Sequence, residues 1–147
     1  MSKNITIENA HITFRNFSGK PSKFNHDGAR SFGIRLDEVQ ANEMRSIGFN
    51  VKPLAPMDES DEPAYNLTVA VNYGMKPPAV YMIAGGKKTL LDEETISTLD
   101  YADIEMVDLT INAYEWEFAG NSGVKAYLKS LYVTVSEDDL ADKYANL

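Results

Sequence analysis

Hydrophobic and polar residues alternate in short runs along most of the chain, which is the pattern of half-buried β-strands. Glycine, proline, serine and asparagine cluster between these runs and indicate turns and loops. The segments 15–28, 56–63 and 85–88 are therefore predicted to be loops. The alternation predicts strands at residues 5–14 (one strand, with a bulge near Glu8 and Asn9), 32–36, 50–54, 67–73, 79–83, 107–118 and 124–135.

Two helix starts stand between the strands. Asp37 precedes Gln40 by three residues, which is the spacing of a capping box, and Gly48 suits the end of the helix. A helix is therefore predicted from Asp37 to Ile47. Asp92 is expected to cap one or two further helical turns over residues 92–99, with acidic residues in the first turn.

Together these elements predict a mainly β fold, namely an OB-like antiparallel barrel with two short helices and a long C-terminal hairpin. Residues 1–136 are expected to form one OB-like domain, and residues 137–147 an acidic C-terminal tail. No repeat or linker divides the sequence further.

The arms of the C-terminal hairpin admit two registers. The Asn-Ser-Gly tripeptide at 121–123 suits a three-residue loop closed by a bulge. Glu115 then lies opposite Lys129, and this register is favoured because opposite charges meet. Its apolar residues change face halfway, which indicates either a twisted core strand or a contact at the tip. A two- or four-residue loop instead gives one face that combines aromatic rings and lysines: Tyr114, Trp116, Phe118, Lys125, Tyr127 and Lys129.

The net charge of −8 argues against a ligand that carries phosphates. The acidic residues are gathered in blocks, however, at 92–108 and near the C-terminus. Residues 14–35 contain the single acid Asp27 against five basic residues. This segregation leaves a locally basic region that can bind an anion.

Basic and aromatic residues interleave in the 15–30 segment. Cations neutralise phosphates and aromatic faces stack on bases, so this composition fits single-stranded nucleic acid. The alternative is a solvated loop that its phenylalanines pin to the core. The candidate DNA-binding residues are Arg15, Phe17, Lys20, Lys23, Phe24 and Arg30 in this segment, Lys87 and Lys88 in the 85–88 loop, and Trp116, Lys125, Tyr127 and Lys129 in the hairpin.

Catalytic, metal and cofactor sites are not indicated. The chain has no cysteine, and His11 and His26 lack further ligands at the spacing of a zinc site. The Gly-Gly-Lys-Lys-Thr run at 85–89 lacks the first glycine of a phosphate-binding loop. The acids at 92–108 are interpreted as a solvated helix face. We therefore expect no enzyme, no metal and no cofactor.

Several segments resemble small phage proteins of the single-stranded DNA-binding type. The resemblance covers most of the chain and lies in its general sequence character: ITFRNFSGK at 12–20, RSFGIRLDE at 30–38, GGKKTLLDEETISTLDYADI at 85–104, INAYEWEFAGNSGVKAYLKSLYVTV at 111–135, and the acidic tail. It implies an OB-like fold and sequence-independent coating of single strands during phage replication or recombination. The family's features carry over to residues 15–30 and to the tail. The high acidity of the remaining chain departs from that pattern.

The resulting prediction is a non-enzymatic protein that binds single-stranded DNA, or RNA, in the cytoplasm of a bacterial host. No secretory leader and no membrane-spanning apolar run is expected. The alternative is a protein-interaction or virion structural module that oligomerises through residues 107–135, and a homo-oligomer is possible in either case. The tail is interpreted as a frayed end, a DNA mimic or a contact for replication or recombination proteins, through Glu137, Asp138, Asp139 and Asp142.

Overall fold

Nine strands form one mixed sheet in the computed structural model, which describes residues 3–21, 28–55, 62–74 and 76–136. The predicted mainly β fold is confirmed. In chain order the elements are β1 (Lys3–Ile7), β2 (His11–Asn16), β3 (Arg30–Leu36), α1 (Glu38–Ile47), β4 (Lys52–Pro53), β5 (Tyr65–Val71), β6 (Ala79–Ala84), β7 (Lys87–Leu91), a 3₁₀ helix (Ile96–Asp100), β8 (Ile104–Phe118) and β9 (Asn121–Val135).

The sheet is organised around β9. One edge of β9 pairs antiparallel with β8 along nearly its whole length. The other edge pairs in parallel with β5 near Tyr127 and with β6 from Ser130 to Thr134. The main strand order is β1-β8-β9-β5-β3-β2, with β6 and β7 branching from β9. Among the described strands the sheet is not closed into a barrel and is not purely antiparallel, so the prediction was wrong on these two points.

The predicted strand at residues 5–14 is two strands on different edges of the sheet. β1 pairs with β8, whereas β2 pairs with β3. Asn9 turns the chain between them with φ of +53°, a conformation that asparagine tolerates well. Its backbone N–H donates to Asp108 Oδ1 over 2.9 Å, and the N–H of Ala10 donates to the carbonyl of Val107.

The helix predicted after β3 is confirmed in its local detail. Asp37 accepts a hydrogen bond from the N–H of Gln40, whose side chain accepts one from the N–H of Asp37. Gly48 ends the helix with φ of +115°. Asp92 caps only a turn, since its carboxylate accepts from Glu94 and Thr95, and these bonds lower its pKa. The second helix is a 3₁₀ helix that starts four residues later than predicted.

One apolar core joins the buried strand residues to α1 and the 3₁₀ helix. Ala41 and Met44 are the buried residues of the helix. Phe17 and Phe32 stack within this core with ring centroids 5.1 Å apart. No helix in the described part of the chain has both the length and the apolarity needed to cross a membrane.

Of the segment 85–88, predicted as a loop, only the first two residues form a loop, which is the turn of a β6–β7 hairpin. Gly85 and Gly86 occupy it with φ of +57° and +77°. Two adjacent residues with positive φ match the two-residue hairpin turn that follows the twist of the strands. Lys87 and Lys88 therefore belong to a strand, where they pair with Ala84 and Ile83.

Candidate nucleic-acid interface

The β8–β9 hairpin turns at Ala119 and Gly120, which have φ of +52° and +82°. Phe118 pairs with Asn121, so the loop has two residues. The favoured three-residue loop at 121–123 was wrong, because these turn-forming residues are the first three of β9. Gly120 suits the left-handed region, but Ala119 is not a residue that usually adopts it. The sequence Ala-Gly therefore did not indicate a two-residue turn, whereas Asn-Ser-Gly at 121–123 did indicate a turn.

The observed pairing is neither of the two predicted registers, but it brings together the mixed face that the alternative arrangement predicted, without Lys129. Tyr114 pairs with Lys125, and Trp116 pairs with Gly123. Side chains on one strand alternate between faces, so five residues share the outer side of the hairpin. We call this surface the tip face: Tyr114, Trp116, Phe118, Lys125 and Tyr127.

Three rings of the tip face are exposed, namely Tyr114, Trp116 and Phe118, and Tyr127 is half-buried. Phe118 is 78% exposed and Trp116 is 40% exposed. Tyr114 and Tyr127 meet edge to face at 5.8 Å, and the Lys125 ammonium lies 5.1 Å from the centre of the Tyr127 ring. The Trp116 indole rests on Gly123, where a β-carbon would come within 2.8 Å of it.

The acids of the hairpin tip lie on the opposite face. Glu115 and Glu117 alternate with the aromatic residues of β8, opposite Val124 and Ser122. They are exposed because the tip projects beyond the core, and every residue from 114 to 122 is exposed.

A pocket of about 390 Å³ adjoins the tip face where β9 meets β5 and β3. Arg30, Tyr73, Glu93, Lys125 and Tyr127 are among the residues that line it, and we call it the Arg30 pocket. The Arg30 guanidinium lies 5.5 Å from the Tyr73 ring centre. Its Nη1 donates to the Glu93 carboxylate over 3.2 Å.

Two polar atoms of the Arg30 pocket are buried without a hydrogen-bond partner, namely Arg30 Nε and the Tyr73 hydroxyl. Burial raises the pKa of Tyr73, opposed by Arg30 and assisted by Asp92 and Glu93. The phenol is therefore a neutral donor at physiological pH. Unpaired buried donors cost free energy, which a ligand with acceptor oxygens would recover.

Charge is segregated by element. Among the described strands, β8 alone carries acidic residues, although the chain has 22 of them. The other described strands contain no acid, and six of them carry nine basic residues: Lys3, Arg15, Arg30, Arg35, Lys52, Lys87, Lys88, Lys125 and Lys129. A polyanion can therefore approach the sheet despite the net charge of −8.

A family model described as "Putative phage ssDNA-binding domain" matches residues 1–147. The chain belongs to this family. The family predicted from the sequence is thereby confirmed. No curated protein matches the sequence.

Solved structures of another phage single-stranded DNA-binding protein share the fold. The single-stranded DNA-binding protein from bacteriophage Enc34 superposes with a TM-score of 0.54 at 15% identity, over 96% of this chain and 89% of that chain. The Enc34 protein in complex with ssDNA gives a TM-score of 0.54 at 13% identity, over 92% of this chain and 88% of that one.

In this phage single-stranded DNA-binding domain, the hairpin candidates and one residue of the 15–30 segment come together. Arg30, Lys125 and Tyr127 line one pocket, and Trp116 lies on the adjoining tip face. Lys129 is the extra residue of a β-bulge in β9 and is exposed.

The remaining candidates lie elsewhere or are engaged. Phe17 is fully buried and has no face open to a base, in line with the alternative that phenylalanines pin the segment to the core. Arg15 donates from Nη1 to the carbonyls of Leu99 and Ala102. Lys20 is exposed. Lys23, Phe24 and the four tail acids lie outside the described residues.

Three tyrosines near the site were not predicted from the sequence: Tyr73, Tyr81 and Tyr132. The Lys88 ammonium lies 4.8 Å from the centre of the Tyr81 ring, which in turn stacks on Tyr132 at 5.1 Å. The alternation shows outward positions for Tyr81 and Tyr132 in their strands, whereas Tyr73 follows β5 and is half-buried. The parallel pairing of β6 with β9, which joins Tyr81 to Tyr132, leaves no local mark in the sequence.

Proposed function

We propose that the protein binds single-stranded DNA without sequence preference, with bases stacked on the tip face and the backbone beside Arg30 and Lys125. The observation that carries this proposal is the exposed, acid-free face on which tyrosine, tryptophan, phenylalanine and lysine side chains adjoin a pocket with unpaired donors. A stacked base contributes about 1 to 3 kcal/mol. The rings that lie open on this face can hold several bases.

The lack of sequence preference follows from the kind of contact. Every base has an aromatic face, so stacking on Trp116 or Tyr127 accepts all four. Phosphate contacts from Lys125 and Arg30 position the strand and carry no sequence information. Neither contact uses the 2′-hydroxyl of RNA, so RNA is expected to compete for the same face.

The biological role that fits is coating of single strands during phage DNA replication, in the cytoplasm of a bacterial host. A part in recombination, a homo-oligomer, and recruitment of replication or recombination proteins by the acidic tail belong to the same proposal. So does the absence of enzymatic activity. In the described part of the chain, no three His, Asp or Glu side chains are grouped closely enough to hold a metal ion.

The single tryptophan provides the test, because Trp116 lies on the tip face. Its fluorescence should be quenched on titration with oligothymidine, and binding should weaken at higher salt. Tyr127→Ala should weaken binding by about 5- to 100-fold, the equivalent of one stacked base. Tyr101→Ala is the matched control, since Tyr101 is exposed but follows the 3₁₀ helix.

Absence of binding at low salt, both with the full chain and after removal of residues 137–147, would contradict the proposal. Equal affinities of Tyr127→Ala and the wild type would reject the tip face while leaving DNA binding in place.

A further inference from the structure

Tyr127 and Tyr132 lie five positions apart on β9, about 16 Å along an extended strand. In a regular strand an odd spacing points two side chains to opposite faces. Here the pairing shifts between Thr110 and Ile111, and Lys129 is the extra residue on β9. The bulge therefore brings Tyr132 to the outer face that carries Tyr127. Bulges of this kind commonly re-aim side chains beside functional sites.

Around Tyr132 stands a second group of rings and basic residues. Tyr81 and Tyr132 stack at 5.1 Å with ring planes 17° apart, and Lys88 lies over Tyr81. Leu90 pairs with Tyr81 and is 63% exposed, so it adds exposed apolar surface beside the two rings. We call Tyr81, Lys88 and Tyr132 the Tyr81 platform.

The charges between the tip face and the Tyr81 platform favour binding of a polyanion. β6, β7 and β9 contain four lysines and no acid, in a chain with a net charge of −8. Asp108 on β8 is the acid that pairs with Tyr132, and its Oδ1 is occupied by the N–H of Asn9. Lys129 and Ser130 bridge the interval between Tyr127 and Tyr132 and are both polar.

We propose that the Tyr81 platform is a second base-stacking site and that a single strand runs along the outer face of β9 from the tip face to it. This inference rests on the proposed function and adds to it the path of the DNA strand and the length of DNA that one protein molecule covers. An OB fold covers about 4 to 16 nucleotides. A short oligonucleotide is held by the tip face and the Arg30 pocket alone, whereas a longer one reaches the Tyr81 platform as well.

Oligothymidines of about 4 and about 16 nucleotides, the limits of that range, separate the two sites. Tyr132→Ala should weaken binding of the longer probe by about 5- to 100-fold and leave the shorter one unchanged. Tyr127→Ala should weaken both. Tyr132→Phe keeps the ring and should behave as the wild type, and Tyr101→Ala controls for loss of an exposed tyrosine.

Lys88→Ala supplies an independent measurement should the tyrosine variant fold poorly. Its plot of log affinity against log salt should be shallower by about 0.7 for the longer probe only. Unchanged affinity of Tyr132→Ala for the longer probe, with wild-type binding intact, would overturn the path along β9 and leave the proposed function standing. A change in oligomeric mass without a change in affinity would also overturn it, in favour of a protein partner. A wild type that binds neither probe would overturn the proposed function itself.

Discussion

Arg30 is shared between a carboxylate and an aromatic ring. Its Nη1 donates to Glu93, and its guanidinium lies over Tyr73. A DNA phosphate that binds Nη1 of Arg30 must replace the Glu93 carboxylate, which accepts from that atom, whereas Nε has no partner to displace. Because the Glu93 side chain is 60% exposed, the ion pair is weak enough for such an exchange.

Removal of the Glu93 charge should therefore strengthen DNA binding. Glu93→Gln is expected to raise affinity for oligothymidine by up to about fivefold, the range of an exposed ion pair. Fluorescence titration at one salt concentration measures the change. Glu94→Gln makes the same change in net charge beside it, without the bond to Arg30. Equal gains in the two variants would show a general charge effect and reject the exchange.

At the scale of elements, the hairpin turn decides which side chains share the tip face. Ala119 holds a left-handed conformation that costs an L-residue about 1 to 2 kcal/mol. Asparagine followed by glycine is the preferred pair for this two-residue turn. Ala119→Asn should therefore stabilise the protein by about 0.5 to 1 kcal/mol, seen as a higher midpoint of urea unfolding with an unchanged slope.

The sign of that effect also tests the register. With a loop at 121–123, position 119 would lie inside a strand, where asparagine is unfavourable. A destabilised Ala119→Asn protein would therefore contradict the observed turn. Ser122→Asn serves as the control, because Ser122 lies in β9 and should gain nothing.

Elements with local determinants were predictable from the sequence. The capping box and Gly48 fix α1 within a few residues, and alternation located the strands later seen as β3, β5, β6, β8 and β9. The late start of the 3₁₀ helix and the division of β1 from β2 were not predicted. The Asp92 carboxylate holds only a turn through Glu94 and Thr95, so the helix begins after it. The chain leaves β1 at Asn9, whose left-handed conformation the sequence does not reveal.

The candidate site was predictable in its residue types and not in its geometry. Arg30, Lys125 and Tyr127 were proposed from composition, but Arg30 is distant in sequence from the other two. Only the parallel pairing of β9 with β5 and the antiparallel pairing of β5 with β3 bring them together. Phe17 shows the converse, since an aromatic ring beside basic residues looks the same in sequence whether it is exposed or buried.

At the scale of the whole molecule, we expect the positions of the basic residues to determine DNA binding more than the net charge does. Each phosphate contact on a single strand contributes about 0.7 to the slope of log affinity against log salt. Lys125→Ala should reduce that slope by about this amount. Lys52→Ala, which removes an exposed lysine of β4, should leave the slope unchanged. Equal reductions in both variants would mean that net charge, not the site, governs binding.

The confinement of strand acids to β8 has a consequence for the coated nucleic acid. The helix, the connections, the termini and β8 together carry all 22 acids against five of the 14 basic residues. A strand covered by many copies of this protein would thus exchange its phosphate surface for a carboxylate one. Neighbouring coated strands would repel each other and stay dispersed as separate fibres, rather than being bridged into bundles as cationic proteins bridge DNA.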